Sequence, residues 1–227
     1  KTFFENVHFH PETLGKKNID ESTMLYKFKP FSEFVFEELK TQQLFLNDPT
    51  QWNDPFDGRM FAPFRVPEYQ HYFKRLRMQS FSVELAVKNE QDKYFEKVFG
   101  KSPVDNFLMW SHYADEHQGV CLVYDYQQPN VPTAFLHTVK YNNQPDLQEA
   151  HDFYLMKSEQ WQYENEYRLV HMMQGDDAKL KEPCLLDYKD IGLTLKAIYF
   201  GTECSNTRIE MLKAFIKEIG RENEIEL

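Results

Sequence analysis

The chain has 227 residues, 41% of them apolar, which is enough to bury a sizeable core in one generous domain. Its 26 Lys and Arg stand against 36 Asp and Glu, a formal charge of -10 that repels phosphate backbones and anionic lipid and disfavours non-specific nucleic-acid binding. No apolar run approaches the roughly 20 residues of a membrane span, and the opening KTFFENVHFHPETLGKK lacks the apolar centre of a signal peptide.

In chain order, residues 1–22 are polar and read as an arm, followed by a single domain over 23–227. MLYKFKP (Met24–Pro30) predicts a short strand stopped by proline. In FSEFVFEELKTQQ, Phe31, Phe34, Val35 and Leu39 share a helical face, with Ser32 placed to cap it. LFLN (Leu44–Asn47) predicts a strand, and DPTQWNDPFDG after it is dense in turn formers. Residues 69–76 suggest a helix, and FKRLRM (Phe73–Met78), the best candidate for a local basic patch, reads more simply as a solvated helix or strand edge. MQSFSVE (Met78–Glu84) alternates as a strand does, and Val87–Asp105 reads as a polar surface excursion.

The second half is richer in strands: VCLVYDY, FLHTVKY, EYRLVHM, CLLDY and LKAIYFG all carry β-branched or apolar runs. Two helices punctuate them. One runs from Pro145 to about Lys157, and the other follows Cys204 with Ile209, Leu212, Ala214, Phe215, Ile216 and Ile219 as its apolar stripe before Gly220. Strands and helices mix without strict alternation, so the expected class is α+β, with a mixed or mostly antiparallel central sheet and flanking helices.

The three cysteines, Cys121, Cys184 and Cys204, are odd in number and lack CxxC spacing, so neither a disulfide framework nor a zinc site is indicated. Free thiols in a cytoplasmic protein are expected, and Cys121, inside VCLVY, reads as buried and inert.

LMWSHYADEHQGVCLVYD (Leu108–Asp125) gathers the densest chemistry. On a helix Trp110, Tyr113, Ala114 and His117 share a face, His112 sits beside Asp115 and Glu116, and Gly119 provides a left-handed exit into the next strand. His117 would then occupy the last turn, where the helix dipole favours a cation. His112 and His117 point about 140° apart, which is wrong for a shared metal ion. His112 is either a general acid or base or the partner of its acidic neighbours in a surface ion pair.

WQYENEYRLV supplies a second group. Strand geometry puts Glu164, Glu166 and Arg168 on one face and Tyr163, Asn165, Tyr167 and Leu169 on the other. Two carboxylates beside a guanidinium make either an ion network or a site. Asn53, Asp54 and Asp57 of WNDPFDG form a third group, suited to a ligand or a hard cation, but their spacing is not that of a calcium loop. No nucleophile elbow, Walker loop or dinucleotide fingerprint is present.

LYKF (Leu25–Phe28), LFLNDPTQWNDPFD, SFS (Ser80–Ser82), LMWSHYADEHQGVCLVYD, KSEQWQYENEYRLV and IYFG (Ile198–Gly201) together resemble a bacterial family catalogued as domain of unknown function 2971. The order LYK, SFS, YENE is also similar to the strand-borne motifs of ADP-ribosyltransferases, which surround NAD. That resemblance implies that Lys27 holds phosphate or ribose, that Ser80 and Ser82 support the site, that Glu166 polarises the nicotinamide ribose, and that Glu164 positions the acceptor. Tyr26, Trp110 and Tyr113 would supply rings, with His112, Asn53, Asp54 and Arg168 completing the pocket. A carboxylate near the ribose stabilises the oxocarbenium-like charge that develops as the glycosidic bond breaks. NAD is then a substrate, no metal is predicted, and by analogy the setting is bacterial defence or toxin biology.

Two alternatives stand beside this reading: a metal-dependent nuclease or phosphodiesterase, and a non-catalytic domain that binds a small-molecule or nucleotide ligand. The transferase reading expects Lys27, Ser82 and Glu166 in one cleft. The nuclease reading expects Asp54 and Asp57 to meet Glu164 or Glu166 around an ion, and the binding-domain reading expects Arg168 to pair with the carboxylates and leave no cleft.

Overall fold

A computed structural model describes residues 23–49, 74–130, 133–141, 154–175 and 179–227. The arm, the WNDPFDG loop with Asn53, Asp54 and Asp57, most of residues 69–76 and most of the helix expected from Pro145 lie outside these residues.

β1 (Thr23–Lys29) runs through the middle of a six-stranded antiparallel sheet. Its neighbours on one side are β4 (Val120–Tyr126) and β10 (Leu193–Phe200), and on the other β3 (Leu76–Ser82), β8 (Glu166–Met172) and β5 (Phe135–Thr138). Because a strand's side chains alternate, the central strands bury both faces. Leu25, Leu122, Tyr124, Phe81 and Leu169 face the larger core. There α1 (Glu33–Thr41) contributes Val35 and Leu39, and α4 (Asn206–Glu218) contributes Leu212 and Ile216. Tyr26, Phe28, Cys121 and Val123 face the opposite side, under Met109 and Trp110 of α3 (Phe107–Tyr113). The architecture is α+β in a single domain, and no helix among the described residues is long and apolar enough to cross a membrane.

The smaller pieces depart from expectation in informative ways. Ser32 occupies the N-terminal cap position of α1 but its side chain makes no capping hydrogen bond, and at the other end Gln42, left-handed at φ 54°, closes the helix by donating its N–H to Glu38 O. β2 (Gln43–Leu46) pairs with β9 (Cys184–Asp187) rather than joining the main sheet. The surface excursion contains α2 (Glu90–Phe99), nucleated by a capping box between Asn89 and Asp92. Met156–Lys157, placed at the end of a helix by sequence, form the short strand β7, parallel to β6 (Lys140–Tyr141). In α4 Ala214 is exposed, so the buried stripe is narrower than the apolar pattern. In the basic cluster, Arg77 is buried and donates to the carbonyls of Lys74, Leu76 and Leu180, so it is part of the fold's framework.

The largest correction concerns Leu108–Asp125. The helix stops at Tyr113, and Asp115, Glu116 and His117 all turn left-handed, at φ 49°, 52° and 69°. Each such residue costs roughly 1–2 kcal/mol. Hydrogen bonds offset part of that: His117 N–H donates to Trp110 O (3.2 Å) and Glu203 N–H to His117 O (3.0 Å). His117 therefore lies beyond the helix, its Nε2 3.0 Å from Ser111 Oγ, so the dipole argument does not apply to it. His112 forms no ion pair with Asp115 or Glu116 among the described residues, because the turn carries them off its face.

Gly119 is not left-handed. A Cβ there would lie 2.2 Å from the Lys29 carbonyl oxygen and 2.9 Å from that of Ala114, both backbone atoms that cannot swing aside. Gly119→Ala is expected to lower stability by about 1–3 kcal/mol, the usual range for overpacking. Urea unfolding of the two proteins checks this.

Candidate functional site

The site forms where β8 begins, on the sheet face that carries α3. Residues Glu159–Glu164 make a 3-10 helix, Asn165 turns left-handed (φ 44°), and β8 starts at Glu166. Asparagine tolerates this conformation and secures it here, because its Nδ2 donates to the carbonyls of Val83 (3.1 Å) and Glu84 (3.0 Å). Asn106 holds the segment from the other side. Its Oδ1 caps α3 by accepting from Leu108 N–H (3.1 Å), and its Nδ2 donates to Tyr163 O (3.0 Å).

Glu164 therefore meets Glu166 through a chain reversal and not through strand alternation. Lys157 Nζ joins them, 2.6 Å from Glu164 Oε2 and 3.1 Å from Glu166 Oε2. Arg168, with no exposed surface, grips Glu166 through Nε (2.7 Å) and Nη2 (3.2 Å) and donates Nη1 to Tyr154 O (2.6 Å). Ser80 also hydrogen-bonds Glu166, and the Glu166 N–H donates to the Tyr141 hydroxyl (2.8 Å). Tyr113 OH donates to the free oxygen of Glu164. Outside this core, His112 Nδ1 sits 2.8 Å from Tyr163 OH, and the rings of His112, Trp161 and Tyr163 pack at about 6 Å from one another. Lys157 lies over the Trp161 ring at 5.1 Å.

The two carboxyls are driven apart. Burial pushes Glu166 up, but Arg168 and Lys157 outweigh it and hold the group well below the usual carboxylate range, so it is ionised. Burial raises Glu164 to about 7, Lys157 opposing and Glu166 adding to the rise. Burial and the neighbouring Glu164 push the Tyr113 hydroxyl well above its ordinary value, so it stays a donor. A pair of carboxyls with divergent proton affinities is the arrangement that assigns acid and base roles in many enzymes. Of the two, Glu164 reaches a cavity of about 30 Å3, walled by Phe95, Phe99, Asn106, Tyr163 and Asn165.

The structure brings together Glu164, Glu166, Arg168, Ser80, Tyr113 and His112, with Ser82 paired opposite Glu166 in the ladder. It does not bring in three others. Trp110 is core: its Nε1 donates to Val104 O (2.8 Å) and its ring stands edge-on to Phe28. Tyr26 is buried beneath α3, its hydroxyl on Glu84 (3.1 Å), and offers no stacking face. Lys27 leaves β1 on the opposite face from Tyr26, Ser82 and Glu166, because it is out of phase with the register pair Tyr26–Ser82. The three residues expected to share a cleft therefore do not.

Lys157 was missed because YLMK reads as the end of an amphipathic helix, yet it is the cation that links both carboxyls. Tyr141, Trp161 and Tyr163 were visible only as aromatic residues. Glu38 was also missed: buried in α1, it accepts from Tyr188 OH (2.7 Å), Tyr124 OH and Lys29 Nζ, forming a second polar knot on the other face. Cys121 is buried, and burial pushes its thiol well up. No family model matches the chain, and neither a curated protein nor a solved structure does.

Proposed function

We propose that the protein binds a small molecule of the nucleotide class beside Glu164, with NAD as the first candidate and ADP-ribosyltransferase-like cleavage of its glycosidic bond as the chemistry: nicotinamide leaves as the neutral base, the acceptor takes its place on the ribose carbon, and Glu164 takes the acceptor's proton. The observation that carries this is the split pair: Glu164 titrates near neutral pH, so that a fraction of it is ionised and able to take a proton, while Glu166, held ionised behind it, fixes the local field. The roles differ from those that the motif order implies. Glu166 has its oxygens engaged by Arg168 and Lys157, so Glu164 is the carboxyl that meets the ligand. The exposed edge of the ring group, His112, Trp161 and Tyr163, suits a planar heterocycle.

Saturation of Glu166 favours a second reading, recognition without turnover, in the same place. Calorimetry with NAD and an assay for released nicotinamide, run on the wild type and on Glu164→Gln, separate the two. Binding with turnover that falls at least about 100-fold in the variant supports the transferase chemistry. Binding without nicotinamide release supports recognition alone, and no binding at millimolar NAD contradicts both.

A further inference from the structure

The excursion between Val83 and Pro103 is tied down at its base. Leu85 N–H donates to Lys101 O (2.9 Å) and closes a neck. On one side of that neck Asn165 holds the carbonyls of Val83 and Glu84, and Tyr26 OH donates to the Glu84 carboxylate (3.1 Å). On the other side Pro103 is buried, in the turn that leads to Asn106 and α3. Both feet of the excursion therefore stand on the core.

Beyond the neck the hold is slight. α2 buries no residue, and Tyr94 and Val98 on it are exposed at 65% and 43%. Its ends are satisfied from within, by the capping box of Asn89 and Asp92 and by Gly100 N–H on Glu96 O (2.9 Å). On its inner side Phe99 lies against the Tyr163 ring (5.8 Å between centroids, 34° between planes), with Phe95 beside it at 5.6 Å. Those two rings wall the cavity of about 30 Å3, so α2 covers a space and does not fill one. Gly100 joins the helix to the neck at φ 85°, and a Cβ there would lie 2.3 Å from the Asp105 Cβ, so the docked position needs glycine.

We propose that α2 is a lid on this cavity. It undocks as one unit, turning at Gly100 and at residues 86–88, which carry no regular structure, while the neck stays closed. Undocking uncovers the cavity and the face of Tyr163 that Phe99 covers. Tyr163 OH is 2.8 Å from His112 Nδ1, so the floor of the lid is also a wall of the ring group. Entry of a ligand by this route rests on the proposed nucleotide site, whereas undocking is read with no ligand present.

Native-state hydrogen exchange, followed amide by amide, tests this. A ten-residue helix does not hold itself in water, so undocking exposes its internal amides together. The amides of residues 93–100 are expected to share one opening and to exchange at least about 100-fold faster than those of β4, while Leu85 N–H at the neck stays at least about tenfold slower than α2. Gly100→Ala strains the docked backbone and Phe99→Ala removes the docking ring, so each should speed α2 about tenfold and leave β4 unchanged. A thiol set in the cavity wall by Val83→Cys should react with iodoacetamide about tenfold faster when Gly100→Ala is added, with the three buried native cysteines as the control. Protection of α2 equal to that of β4, exchange graded inward from the helix ends, loss of the Leu85 amide together with the helix, acceleration of β4 by either variant, or unchanged reactivity of the new thiol overturns the proposal.

Discussion

Arg168→Met is expected to lower the unfolding free energy by about 3–5 kcal/mol, the range for removing one partner of a buried ion pair. The guanidinium has no exposed surface, and among the described residues it donates to both oxygens of Glu166 and to the carbonyl of Tyr154. Methionine fills much of the volume but removes the two-pronged contact to Glu166, which keeps Lys157 beside it, and takes away the hydrogen bond that Arg168 gives to the Tyr154 carbonyl. Since a domain is commonly stable by about 5–15 kcal/mol, the loss is a large share of the total. Arg168→Lys is expected to recover little, because an ammonium cannot make the two-pronged contact. Denaturant unfolding with matched slopes measures both variants.

The second large effect depends on pH. Lys157→Met removes the cation between two carboxyls, and at pH 8 the cost is expected to reach about 3 kcal/mol, as for other broken buried pairs. Glu164 already has a folded-state proton affinity above its unfolded one, and losing Lys157 widens that gap. A carboxyl raised in this way favours the folded state below its unfolded value and loses that contribution as pH rises through its folded value. The penalty of Lys157→Met therefore grows from about pH 4.5 upward. Adding Glu164→Gln removes the like-charge repulsion and should return part of the loss at pH 8, but little at pH 5. Below about pH 4.5 Glu166 contributes with the opposite sign, because its lowered affinity makes acid destabilising. Thermal unfolding of the two variants across this range reads the pattern.

How much of this was legible in the sequence depended on whether a local period decided it. Alternation in MQSFSVE, the proline stop after MLYKFK, and the β-branched or apolar runs of VCLVYDY and EYRLVHM marked the strands, the runs because a central strand is buried on both faces. The α+β class followed from the mixture of strands and helices. Periodicity failed wherever the backbone changed hand. Asn165 breaks the strand that would have carried Glu164, and Asp115–His117 end a helix without a glycine to announce it. Both turns are held by partners distant in sequence, Val83 and Glu84 for one and Glu203 for the other.

The candidate site divided in the same way. Glu166 and Arg168 were placed together correctly because they share one strand and one face. Motif order put Lys27 in the same cleft, but order along the chain carries no information about which face of the sheet a side chain leaves from, and Lys27 is out of phase with Ser82. Lys157 was illegible because its position depends on a two-residue parallel strand that no composition signals.

One buried network holds its two carboxyls in different protonation states, Glu166 ionised and Glu164 sharing its proton near neutrality. Carbon-13 NMR titration of the glutamate carboxyl carbons, assigned with Glu164→Gln and Glu166→Gln, measures this directly. A Glu164 midpoint near 7 and no titration of Glu166 down to about pH 3 are expected. Midpoints for both groups near the ordinary glutamate value would contradict it.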